Sequence, residues 1–437
     1  MSAAPAAAPG AAPLEPPAVL VLNAGSSSLK AALIGAGGTP LWRDQWSWDV
    51  TSAPEQPGSP EAVLQAWLPG LLARWGDGVD LVGHRVVHGG ERFTAPTRLD
   101  AASVQQLESL VELAPLHNAA ALRVIGWLAH QLPQIPQWAC FDTAFHRSLA
   151  PAAYTYALPA AWRALGLRRY GFHGLNHQHI SEEVLRREAA GRDGMAATRR
   201  ATEVQTDLGT DPCGAPATEV VTDVATDPAA HTCLDSSLNR AAVRTTDPDP
   251  DPGPAAGPLR LISCHLGAGC SLCAIRAGVS VATTMGYTPL EGLVMASRSG
   301  SVDPGVLLAL LRRGITPAEL DQALHGASGL LGLSELSGNM QDLRQAAAAG
   351  HAGARLAIEV FQARLLQGIG AMAASLGGVD VIALSGGIGE HDRDLQAGLR
   401  RELAWLGPFR LYIVPADEEG VIARSCRRAE AQWRRQH

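Results

Sequence analysis

Apolar runs divide this chain into two ordered blocks. In the first, from about residue 17 to 187, Ala18-Val19-Leu20-Val21-Leu22 is short and uninterrupted and reads as a buried strand. Leu81 to Val87 and Gln137 to Phe141 also read as strands, whereas Pro60 to Trp75, Ala101 to Leu113 and Ala119 to Leu132 read as helices. The second block runs from about residue 259 to the end, with strands at Leu259 to Cys264, Ser271 to Ile275, Val381 to Leu384 and Leu411 to Val414. Its best marked helix opens at Thr316-Pro317-Ala318-Glu319, with an N-cap hydroxyl, Pro in the first turn and Glu placed for a capping box. A long helix spans about Ala354 to Leu376. Alternation of this kind predicts an α/β architecture.

Two segments break the pattern. The first 16 residues are rich in Ala and Pro and lack the charged and apolar regions of a secretory signal, so a disordered tail is expected. Residues from about 190 to 258 are rich in Thr, Asp, Pro and Ala, and the stretch Thr202 to Pro212 returns with few changes as Thr218 to Pro228. That repeat is too short and polar for a solenoid unit and reads as a flexible insertion on a surface loop.

At 437 residues the chain has room for two or three domains, and 46% hydrophobic with 18% charged residues describes a globular protein with ample core. A net charge of -7 and the lack of a basic run argue against a nucleic-acid partner. No apolar stretch approaches the roughly 20 residues that span a bilayer. Seven scattered cysteines make no disulfide framework, and the cluster Cys264, Cys270, Cys273 has no matching pair for zinc. Small core residues in a reduced, cytoplasmic protein are the expectation.

Against that background one cation stands out. Lys30 is the only lysine, and it ends the run Asn23-Ala24-Gly25-Ser26-Ser27-Ser28-Leu29-Lys30 directly after the first strand. Backbone N–H groups, hydroxyls and a compact ammonium suit phosphate, although a glycine-serine hairpin turn fits the same letters. Other polar stretches sit at strand ends, where α/β sheets hold ligands. His84-Arg85-Val86-Val87-His88-Gly89-Gly90 puts an arginine inside an apolar strand, as a ligand group or in a buried ion pair. Phe141-Asp142-Thr143-Ala144-Phe145-His146 ends a strand in a carboxylate, catalytic or a loop cap. Tyr170-Gly171-Phe172-His173-Gly174-Leu175-Asn176-His177 offers two histidines on a glycine-flexed segment. The loops His265-Leu266-Gly267-Ala268-Gly269-Cys270-Ser271 and Ser385-Gly386-Gly387-Ile388-Gly389-Glu390 would let backbone amides approach phosphate oxygens, or are simple turns.

In order along the chain, these motifs and Met285 to Met295 leading to Arg298-Ser299-Gly300 resemble the acetate kinase family of acetate and propionate kinases. The resemblance covers nearly the whole chain apart from the tail and the insertion. It implies a two-domain actin-like ATPase fold of the sugar-kinase type with a central cleft. Residues 17–146 with 420–437 would form the first α/β domain and 147–419 the second, and the protein would be a homodimer. The implied reaction is reversible, Mg2+-dependent transfer of the ATP γ-phosphoryl group to acetate, giving acetyl phosphate and ADP, with Mn2+ as an alternative ion.

By the same resemblance Asn23 and Glu418 match the metal site, and Asp142, His173, Arg298 and Arg85 the catalytic groups. Arg85, Val87, Leu116, Phe172 and Pro289 match the pocket for the acid and its methyl group. Lys30, the loops 265–269 (His265, Leu266, Gly267, Ala268, Gly269) and 386–390 (Gly386, Gly387, Ile388, Gly389, Glu390), and Asn339, Met340 and Gln341 match the nucleotide side. Departures gather there: Ala268 stands for Asn, Glu335 for Gly, Asn339 for Asp and Gln341 for Arg. Ser301 stands for an acidic residue, Ala296-Ser297 for Gly-Thr and Ala416-Asp417 for Thr-Asn. An amide keeps an acceptor for a ribose hydroxyl without its charge, and Gln lacks the planar cation that stacks on a base. A change in nucleotide affinity, toward weaker binding, or in base choice is expected. Runner-up readings are a propionate-preferring or pyrophosphate-using acid kinase, and a catalytically weak nucleotide sensor.

Overall fold

In the computed structural model, residues 18–206 and 257–437 are described, apart from 26, 27, 50, 51, 55, 76 and 77; side chains are not described for 115, 116 and 192–206. The strands are β1 (Ala18–Ala24), β2 (Ser28–Ile34), β3 (Pro40–Ser47), β4 (Val79–Val86), β5 (Thr97–Arg98), β6 (Gln137–Phe141), β7 (Arg260–Leu266), β8 (Cys270–Arg276), β9 (Val279–Thr283), β10 (Val381–Ser385) and β11 (Arg410–Ile413). They make two mixed sheets, one in the order β3-β2-β1-β4-β6-β5 and one in the order β11-β10-β7-β8-β9. Both belong to one compact unit; the described residues 187–206 belong to a second.

The strands predicted from apolar runs form, and β1, β6 and β10 are buried at every position. Lys30 lies in β2, directly across the antiparallel β1–β2 hairpin from Asn23, with the Gly25 N–H bonded to the Ser28 carbonyl at the turn. The hairpin alternative for that octet is therefore realised, and it carries Lys30 with it. The predicted helix 101–113 ends at Glu108 and resumes only as a single 3-10 turn, Val111–Leu113. The next helix starts early, at Pro115, because proline suits a first turn. The capping box at Thr316 and Glu319 forms as expected.

Helix Gly174–Thr206 runs past residue 190, where the insertion was expected to begin, through a stretch in which Ala and Arg favour the helix although two Gly and three Thr do not. Residues 207–256, which hold most of the insertion, lie outside the described residues, as does the tail. Helix Glu418–Gln436 packs Val421, Ile422, Ala423 and Cys426 against Val19, Val21, Leu81 and Cys140 of the first sheet. The other face of that sheet packs on helices 60–75 and 115–131 through Leu64, Leu68, Val124 and Leu128. A further core lies around Phe361, Leu365 and Ile369 of helix Ala352–Leu376.

Candidate active site

Strand register assembles the charged centre. Asn23 pairs with Lys30 on one side and with Arg85 of β4 on the other, and Arg85 pairs with Cys140 of β6. Residues opposite one another share a sheet face, and Asp142 lies two positions beyond Cys140, so Lys30, Asn23, Arg85 and Asp142 emerge on one face. They do so at the carboxyl ends of the parallel strands β1, β4 and β6, the usual ligand position in such sheets.

Arg85 is held from several sides. It donates from Nε to Asp142 Oδ1 at 3.0 Å, from Nη2 to Asp142 Oδ2 at 2.5 Å, and from Nη1 to Asn23 Oδ1 at 2.9 Å. Glu418, at the start of the last helix, lies 3.9 Å from Arg85 Nε and accepts from Asn23 Nδ2 at 3.3 Å. Burial pushes the Asp142 carboxyl upward against the pull of Arg85. A two-pronged pair with a guanidinium that does not deprotonate keeps Asp142 ionised at neutral pH. Glu418 is held below the usual carboxylate range, since Arg85, His265, Lys30 and Asn23 outweigh its burial.

Arg298 comes from the loop after β9. The only hydrogen bond of its side chain among the described residues runs from Nη1 to the Pro289 carbonyl at 3.3 Å. Burial and the neighbouring Arg85 depress its pKa. A half-buried cation with no carboxylate beside it suits an anion. The segment bearing Pro289 is fastened by Arg169, which bonds the Thr284 and Met285 carbonyls at 2.9 Å and Glu291 at 2.6 Å.

His173 adopts the left-handed conformation, φ 56°, sparsely populated by residues other than glycine. Gly174 follows because any β-carbon there would sit 2.1 Å from the Asp142 carbonyl oxygen. This close approach, with Gly174 N–H donating to that oxygen at 2.8 Å, brings His173 beside Asp142. Burial first, then nearby His265, His177 and both arginines, drives the His173 pKa well below 6.5, so the ring is neutral. Gly269 faces its Nε2; a β-carbon there would lie 3.0 Å away.

Asn23, Ser28, Lys30, Arg85, Val87, His117, Asp142, Phe172, His173, Ala268, Pro289 and Arg298 line a cavity of about 330 Å³. Beside it, a cavity of about 890 Å³ is lined by Gly267, Ala268, Ala296, Gly338, Asn339, Met340, Gln341, Arg344, Gly387, Ile388, His391 and Asp392, among others. Ala268 borders both. Of the residues expected on the nucleotide side, Lys30 lines the smaller cavity, while His265, Leu266, Gly269, Gly386, Gly389 and Glu390 line neither. Leu266 is buried in the core. Glu390 accepts from the Gly386 and Ala416 N–H groups at 2.8 and 3.0 Å and so ties the glycine turn to the last strand's exit. The His265 ring packs on His173 with centroids 4.2 Å apart. Leu116 lies in helix 115–131, but its side chain is outside the described ones. The next residue, His117, was missed; nothing in the sequence distinguished it from a structural histidine.

Asn23 and Glu418 offer a carboxamide and a carboxylate oxygen, the hard donors that suit a small divalent cation sharing phosphate oxygens and water. Among the described residues no cluster of three or more His, Cys, Asp or Glu makes an all-protein metal cage.

Two mixed sheets, a small cavity walled by cations and a large cavity opening beside it define a phosphotransferase of the actin-like ATPase class. Solved structures share this fold: a propionate kinase of Francisella tularensis (TM-score 0.71, 26% identity, 93% of this chain and 98% of that one) and an acetate kinase of Porphyromonas gingivalis (TM-score 0.68, 27% identity, 93% and 98%). An acetate kinase of Synechococcus sp. (strain JA-2-3B'a(2-13)) is 38% identical over 93% of this chain and 98% of its own length. The chain belongs to the Acetokinase family, which matches residues 68–193 and 253–424.

Proposed function

We propose that this protein is an acetate kinase, transferring the γ-phosphoryl group of ATP reversibly to acetate to give acetyl phosphate and ADP. The observation that carries the reading is a cavity in which Arg298 lacks a carboxylate partner and Arg85 is braced by Asp142 beside a small apolar wall. An acetate carboxylate oxygen attacks the γ-phosphorus and the bond to the ADP oxygen breaks. No proton moves, because acetate is ionised at neutral pH. The difficulty is bringing two anions together, so positioning and charge neutralisation do the work. Arg298 and Arg85 flank the acid and the moving phosphoryl group, and Lys30 adds charge on the hairpin side. Val87, Phe172 and Pro289 enclose the methyl group. Asp142 orients Arg85, and neutral His173 donates from Nε2 to an equatorial phosphoryl oxygen.

Asn23 and Glu418 would hold Mg2+, which supplies charge neutralisation to the phosphates when bound. The larger cavity takes the nucleoside between the loops at Gly387 and Asn339, with room that favours ATP over pyrophosphate. The division into a first domain with the returning last helix and a second domain around the other sheet accords with helix 418–436 packing on β1, β4 and β6. A cytoplasmic location accords with five buried free cysteines; among the described residues, no helix is long and apolar enough to cross a membrane. A homodimer is supported by helix Pro304–Arg312, none of whose residues is buried although Val306, Leu308 and Leu311 are apolar. Light scattering should give twice the chain mass, and Leu308→Glu should halve it; a wild-type monomer rejects the dimer.

Trapping the product as hydroxamate tests the activity directly. Purified protein with ATP, Mg2+ and acetate should yield acetyl hydroxamate. No acyl phosphate with acetate, propionate or a pyrophosphate donor would overturn the reading in favour of a sensor.

A further inference from the structure

Behind His173 lies a line of buried polar side chains that the transfer chemistry above does not use. Ser263 and His265 are two positions apart on β7, and His265 pairs with Ser271 on β8, so both hydroxyls project from one sheet face. His173 and His177, four residues apart at the start of helix Gly174–Thr206, face that surface together. Ser271 Oγ is 2.8 Å from His173 Nδ1 and 2.8 Å from His177 Nε2, and His177 Nδ1 is 2.8 Å from Ser263 Oγ. Both serines and His177 are fully buried, and His173 is exposed only toward the cavity. His146 packs edge-on against His177, but its nitrogens meet the Phe172 carbonyl at 3.1 Å and Ser280 Oγ at 2.9 Å, so it stays outside the line.

Proton counting fixes the direction. Burial holds both imidazoles neutral, so each ring carries one N–H and each serine one O–H. If Ser263 donates to His177 Nδ1, His177 Nε2–H donates to Ser271, and Ser271 donates to His173 Nδ1, every lone proton has an acceptor. The remaining N–H, on His173 Nε2, then faces the cavity. In the opposite order the Ser263 proton has no acceptor among the described residues, and His173 turns a bare lone pair toward an anion. A buried unpaired donor is costly, and lone-pair repulsion adds to it.

We propose that Ser263, His177 and Ser271 are positioning residues that lock His173 as the neutral Nε2–H tautomer. Through them the second sheet keeps the transition-state donor supplied with its proton. The inference rests on the donor role given to His173 above, and its test separates the two.

Nitrogen-15 NMR of histidine-labelled full-length protein distinguishes protonated from bare ring nitrogens, with the His173 signals assigned by their loss in His173→Asn. In the wild type, His173 is expected to carry its proton on Nε2. Ser271→Ala should mix the tautomers and lower kcat roughly tenfold to a hundredfold, less than the ~10²–10³ expected for losing a donor outright. KM for acetate and ATP should change by less than about twofold, and Ser271→Thr, which keeps the hydroxyl, should restore most of the loss. A wild-type His173 protonated at Nδ1 overturns the proposal, as does a folded Ser271→Ala with wild-type kcat. If Ser271→Ala does not fold, the wild-type spectrum still decides. Full turnover in His173→Ala defeats the donor role itself, whereas an Nδ1–H spectrum with inactive His173→Ala defeats only the lock.

Discussion

Arg85 and Arg298 share one cavity, yet their surroundings separate stability from turnover. Arg85 is half of a buried pair: without it, Asp142, 1% exposed, would be left alone. Arg85→Ala should therefore cost about 3–5 kcal/mol of stability as well as activity, the usual penalty for breaking a buried pair. Arg298, whose side chain bonds only the Pro289 carbonyl among the described residues, should be replaceable with little effect on unfolding. Urea melts of both variants check this; equal stabilities would contradict the bracing role of Asp142. At this scale much of the site was legible. An arginine inside an apolar run, a lone lysine after a strand and a carboxylate ending another strand each break the surrounding pattern. His117 was not legible, because only its place in the cavity shared with Arg85 and Arg298, with burial first lowering its pKa to about 4, marks it out.

Elements were readable where the chain uses one strong signal. Apolar runs gave the central strands, and Thr316 with Glu319 marked a helix start. Strands β2, β3, β5 and β9 were missed, and of these β3, mostly exposed, and the two-residue β5 carry no such run. One departure from the family pattern has a local cost. Glu335 ends helix Gly329–Ser334 in the left-handed conformation, φ 55°, where the resemblance expects glycine. Relief of the β-carbon clash, about 1–2 kcal/mol, outweighs the chain entropy that glycine adds, about 0.5–1 kcal/mol. Glu335→Gly should stabilise the protein by about 0.5–1 kcal/mol; thermal unfolding that shows destabilisation would mean the side chain makes compensating contacts.

Over the whole molecule, histidine burial links stability to pH. The pKa values of His84, His88, His117 and His146 are lowered to about 4, and those of His173, His177 and His265 are lowered as well, burial being the first cause in each. Below the unfolded value of about 6.5 the unfolded chain binds these protons and the folded one does not. Stability should therefore be fully present above about pH 6.5 and fall as pH drops toward 4, by up to about 1.4 kcal/mol per pH unit for each group. Denaturant midpoints that stay flat from pH 7 to 4.5 would show the rings to be charged in the folded state. Joining this burial to the cleft is what the sequence could not convey, since His173, Ser271, His177 and Ser263 come into line only once strand register is set.

The central claim is that an unpartnered cation neutralises the meeting of carboxylate and phosphate. Steady-state turnover of Arg298→Ala in acetyl phosphate formation tests it most directly. A folded variant with kcat reduced by at least about a hundredfold, toward the ~10³–10⁵ seen when a transition-state arginine is lost, is the expected result. A folded Arg298→Ala within tenfold of wild type would contradict it.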